Sequence, residues 1–200
     1  MQPKISVPVH SFGPKADSPP SSGVQSGRAP EAAPSGRVLI ENAAPDPQIY
    51  GGEPGYTVAV AGRYLIHIHT ERTTPTTVGL IRRALSDLEG RHDKFGYLCV
   101  MEPRAELTLL ADVREGINAF VKRYSSRFTG AAVVFEAAGF HATVVRSLVT
   151  AVNVASRASH PTQVFGELRA GITWLGRLTP GDPTPTRLHQ IVQELRGTAK

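Results

Sequence analysis

Two short, almost unbroken apolar runs, YLCVM at 97–101 and AAVVFE at 131–136, constrain the fold of this chain more than any other feature. Runs of that length without alternation mark strands buried on both faces, which is the situation of a parallel sheet covered by helices. Around them, apolar residues recur at steps of three and four. Val78, Ile81, Leu85 and Leu88 predict a helix over 75–90, with Thr74 as N-cap, Pro75 at the first position and Gly90 as the stop. Leu110, Val113, Ile117, Phe120 and Tyr124 predict a second helix over 106–126. Val144, Leu148, Val152 and Ala155 form the expected inner stripe of a third over 140–157. A short strand, TQVFG (162–166), then leads into a helix over 167–178 that carries Leu168, Ile172 and Leu175, with Trp174 as partial core. Ahead of all these stand two further strand candidates, YTVAVAG (56–62) and YLIHIHT (64–70). Gly62-Arg63 between them suits a type II′ hairpin turn, in which glycine takes the first central position. The order β-β-α-β-α-β-α-β-α implies an α/β fold with a mixed, mostly parallel sheet, opened by a hairpin and covered by helices.

The rest of the chain has a different character. Residues 1–55 hold most of the prolines and several Ser/Gly clusters, a composition that buries too little surface to offset its ordering entropy. They are expected to be a disordered tail, with Val38 to Glu41 as its one ordered candidate. The α/β domain is expected over 56–178. Beyond it, TPGDPTPT (179–186) reads as a linker to a short amphipathic helix in which Leu188, Ile191, Val192 and Leu195 share a face that folds back or docks on a partner. The single cysteine, Cys99, excludes an internal disulfide and multi-cysteine metal motifs, and is expected to be a small core residue. The N-terminus lacks the apolar stretch of a secretory signal and no uncharged run reaches membrane-spanning length, so a cytoplasmic protein with no membrane partner is expected. The net charge of +5 falls in the core, with fifteen basic and ten acidic residues over 56–178, but no run of four basic residues occurs. Dispersed arginine of this kind makes nucleic acid an unexpected partner.

With the closing stretch VFGELRAGITWL, in which a short strand enters a Trp-containing helix, this order of elements resembles the STAS, or sporulation anti-anti-sigma-factor-like, family over about 56–178. The resemblance implies a small regulatory domain that works by binding other proteins. Members that act as phosphorylation switches carry an Asp-Ser-Ser/Thr-Gly-like stretch after the third strand. Here the matching stretch is EPRAELTLL (Glu102 to Leu110), which has no serine, and its one hydroxyl, Thr108, is expected inside the following helix. A module without a phosphoserine switch is therefore expected.

Sites of chemistry are few. His67 and His69 fall on one face of a strand, opposite Tyr64, Ile66 and Ile68. A metal site needs at least three protein ligands and no second motif supplies them, so the pair is read as lying on a partly exposed strand face. No nucleophile elbow, phosphate-binding loop or dinucleotide fingerprint occurs. SSRFTG (125–130) offers the hydroxyls of Ser125 and Ser126 beside Arg123 and Arg127, yet reads as a helix end. Glu102, Glu106 and Asp112 bracket a strand-to-helix junction where acids oppose the helix dipole. The expectation is a non-enzymatic interaction module without metal or cofactor, binding a protein partner through Glu102, Arg104, Glu106 and Thr108. A scaffold acting through its tail and C-terminal helix is the alternative, and self-association is compatible with either.

Overall fold

The computed structural model describes residues 46–53, 55–136 and 140–198; the candidate segment at 38–41 lies outside them. They form an α/β fold in which a six-stranded mixed sheet is covered by helices on both faces. In chain order the strands are β1 (Gln48–Glu53), β2 (Tyr56–Ala61), β3 (Tyr64–His69), β4 (Phe95–Met101), β5 (Phe128–Phe135) and β6 (Thr162–Phe165). The helices are α1 (Pro75–Arg91), α2 (Ala111–Tyr124), α3 (Phe140–Ser156), α4 (Leu168–Leu178) and α5 (Pro185–Thr198). The spatial order of the strands is their sequence order. β1, β2 and β3 are antiparallel, and β3 to β6 run parallel.

That order decides where everything else goes. Parallel crossovers are right-handed, so three successive crossovers that step in one direction place their helices on one face. α1 and α2 accordingly share a core with Val58, Val60 and Leu65, and Val145 of α3 packs with Met101, Val133 and Phe135. α4 and α5 cover the other face, against Ile66, Ile68, Leu98, Val100 and Val134. The hairpin turn carries positive φ at Gly62 (51°) and none at Arg63, as a type II′ turn requires. A Cβ on Gly62 would also lie 2.2 Å from the Asp182 carbonyl oxygen, so the turn is held under the α4–α5 connection.

α1 is built as its sequence dictates: the Thr74 hydroxyl accepts from the Thr77 N–H at 3.2 Å, the Thr77 hydroxyl answers it, and Pro75 fills the first position. The helix passes through Gly90 and ends one residue later, where the His92 N–H bonds the Leu88 carbonyl.

Four expectations need correction. The sheet starts at Gln48 and not at Tyr56. β1 is an edge strand whose ladder slips between Ile49 and Gly51, and Tyr50 in the gap reaches α1, donating to Asp87 Oδ2 at 2.7 Å. The domain does not end at Leu178: α5 folds back, one of the two readings of its apolar face, and Leu188, Ile191, Val192 and Leu195 are buried against the sheet. α2 begins at Ala111, because 105–110 runs without helix, and Thr108 therefore precedes α2 on an exposed stretch. On α3 Leu148 and Val152 face inward as expected, but Val145 is the fully buried residue, Val149 joins the inner side and Ala155 faces outward.

Candidate functional site

In a parallel sheet, side chains in register project to the same face. Leu65, His67 and His69 on β3 stand beside Tyr97, Cys99 and Met101 on β4, and these stand beside Ala131, Val133 and Phe135 on β5. This is the face beneath α1, α2 and α3. β4 is a central strand covered by helices on both sides, yet its Tyr97 and Cys99 retain accessible surface. The surface they expose faces a half-open cavity of about 120 Å³ between the sheet and α2 and α3. Its roof comes from α2 (Ile117, Phe120, Val121) and α3 (Leu148, Val149, Val152). α3 is largely apolar, but its remaining inward residues are only half-buried, and that incomplete packing leaves the space.

The polar groups of the cavity are uncharged. Among the described residues that line it, none is Asp, Glu, Lys or Arg. His67 and His69, expected on a partly exposed face, are 4% and 3% exposed, because the α1–α3 layer covers the strand face on which they lie. Their rings meet edge to face at 5.6 Å. His67 Nδ1 lies 3.3 Å from the Tyr97 hydroxyl and 3.8 Å from Cys99 Sγ, and His69 Nδ1 lies 3.3 Å from the Thr73 hydroxyl. Neither Nε2 has a hydrogen-bond partner. Burial, together with repulsion from His69, lowers the His67 pKa to about 3; burial alone lowers His69 to about 4. Burial raises the Cys99 thiol to about 12 and holds the Tyr97 phenol well above its ordinary value. At neutral pH the site holds two neutral imidazoles, a protonated thiol and a phenol.

The far end of the cavity is a hydroxyl cluster. Ser125 closes α2, accepts the Ser159 N–H at 2.6 Å and lies 3.4 Å from His160 Nδ1, whose ring packs on Phe128 at 4.9 Å. Ser125 is thus the helix-end residue that the sequence suggested, and buried. Among the described residues no three His, Cys, Asp or Glu side chains are placed to hold one metal ion.

The four residues expected to bind a partner stand apart from this cavity, at the rim after β4. Glu102 is half-buried, and its Oε1 lies 2.8 Å from Arg196 Nε of α5, which also reaches Glu136 Oε2 at 2.8 Å. Arg104, Glu106 and Thr108 are exposed. Asp112 caps its own helix locally, accepting the Val113 N–H at 2.8 Å. The strand order never reverses within the parallel part, so the crevice that open α/β sheets form at a reversal is absent, and the half-open cavity lies beneath the helix layer instead. Sequence reasoning singled out the histidines and missed Tyr97, Cys99 and Thr73 as their neighbours. Pairing HIH with YLCVM in parallel would have placed His67 beside Cys99. No helix among the described residues is long and apolar enough to cross a membrane. No family model, no curated protein and no solved structure matches this chain.

Proposed function

We propose that this protein is a non-enzymatic, STAS-like regulatory module that binds another protein through the rim 102–110. The observation that carries this reading is that Pro103, Arg104, Glu106, Thr108 and Leu110 of the rim are exposed while the segment is fixed at its base. The Glu102 N–H bonds the His69 carbonyl at 2.9 Å, the Glu106 N–H bonds the Glu71 carbonyl at 2.8 Å, Ala105 is buried, and Arg196 holds the Glu102 carboxylate. A segment ordered before contact loses little freedom on binding. Arg104 and Glu106 then offer alternating charge beside Leu110, an apolar side chain 46% exposed. Charges so placed confer specificity more than affinity. The absence of charged side chains from the cavity lining and a thiol held protonated support action by binding over action by chemistry.

The scaffold reading has less support, since the apolar stripe of α5 already covers the sheet. Arg104→Glu tests the choice. A partner captured by the full-length chain should bind this variant at least about tenfold more weakly, while the thermal midpoint stays within about two degrees, as exposed charge changes usually allow. A partner that binds Arg104→Glu normally but is lost on Gln193→Arg, on the exposed face of α5, would move the contact surface to the C-terminal helix.

A further inference from the structure

We infer that the cavity beneath α2 and α3 is a binding site for a small, uncharged, mainly apolar molecule that carries one hydrogen-bonding group. Protein cores are close-packed, and a half-open cavity of about 120 Å³ reaching between a sheet and the helices that cover it is out of the ordinary. Benzene occupies an apolar cavity of roughly 150 Å³, so the space suits a single ring or a short chain. Its walls are aliphatic and aromatic, among them Met101, Phe120, Val133 and Val152. Its polar atoms gather on the sheet side, where two imidazoles more than nine-tenths buried each leave Nε2 without a partner. Unsatisfied buried polar atoms are rare because each carries a desolvation cost, and a ligand's polar group would remove it.

The tautomer of each ring is adjustable. The Nδ1 atoms lie beside the hydroxyls of Tyr97 and Thr73, which can turn to donate or accept. Each Nε2 is itself covered, so a ligand's hydroxyl or carbonyl meets it once the ring turns toward the cavity. A charged ligand is disfavoured, because the lining residues hold no counter-charge and the site is buried. Leu109 of the rim segment also lines this site, but Arg104, Glu106 and Thr108 do not, and the site does not depend on the role of those exposed side chains.

Three single-ring compounds separate the chemistry: toluene is apolar, phenol replaces its methyl with a hydroxyl at the same size, and benzoate, larger by two heavy atoms, adds a charge. Met101 lines the cavity and the chain's other methionine is Met1, so methyl-labelled methionine supplies a reporter inside the site. In the full-length protein, phenol and toluene should shift the Met101 methyl signal saturably below about 10 mM, phenol more tightly, and benzoate should not. Val152→Phe, which fills the space from α3, should abolish both shifts. His67→Phe should cost phenol about tenfold in affinity and leave toluene unchanged. The inference falls if neither neutral compound gives a saturable shift, if benzoate binds as well as phenol, or if phenol keeps its advantage in His67→Phe. Should Val152→Phe fail to fold, the compound series on the unaltered protein decides.

Discussion

At the scale of single residues, the buried histidine pair has a direct cost in acid. Both pKa values are lowered in the folded state, so between about 6.5 and about 4 the unfolded chain takes up protons that the folded chain refuses. Stability from this source is therefore complete above the unfolded value and lost as pH falls below it. His160 and His92, also lowered by burial, act in the same direction. Two such histidines predict a loss on the order of 2 kcal/mol between pH 6.5 and 5.5. Urea midpoints measured at pH 8, 6.5 and 5.5 should fall slightly over the upper interval and more than twice as far over the lower, and His67→Phe with His69→Leu should flatten that fall. A midpoint that stays level to pH 5 would mean that the pair is hydrated and charged. That the two histidines share a face was legible from their spacing. Their burial was not, because a strand's own residues do not reveal whether a helix layer crosses above them.

Among the elements, those with a strong period were legible and those defined by their neighbours were not. α1 announces itself through Thr74, Pro75 and a regular apolar stripe, and forms with its capping box in place. QIYGGE offers no such signal: two glycines and a slipped register erase the alternation, and β1 exists because β2 presents an edge to pair with. Leu107, Leu109 and Leu110 imitate a helical repeat, yet the chain there is drawn back toward Glu71 and turns helical only at Ala111. Removing β1 should matter accordingly. A chain beginning at Asp46 should be as stable as the full-length protein, whereas one beginning at Tyr56 should lose about 2–3 kcal/mol in urea denaturation, the scale of lost core packing, and associate through the bared β2 edge. Equal midpoints for the two chains would make β1 dispensable. For α5, Ile191 is fully buried, so Ile191→Ala should cost about 2–4 kcal/mol. A cost under about 0.5 kcal/mol, typical of exposed sites, would return α5 to the role of a free docking helix.

The molecule as a whole joins two regions of opposite character, a charged rim braced from outside and an uncharged hollow within. Arg196 braces the rim from the opposite face of the sheet: from α5 it holds Glu102 at the end of β4 and Glu136 just past β5. The α/β class and the parallel character of the sheet followed from two apolar runs. The hollow did not, because it depends on how closely α3 settles, and periodicity specifies a helix's inner face without its distance from the sheet. The strict succession of strands has a further consequence for how such a chain comes into being. Each strand from β2 onward is laid beside the one made just before it, so the sheet can wind up in the order of synthesis, like a scroll, with few distant segments to bring together. Only α5 turns back across the finished strands to cover β3, and its arginine then clasps the edge of a structure already wound.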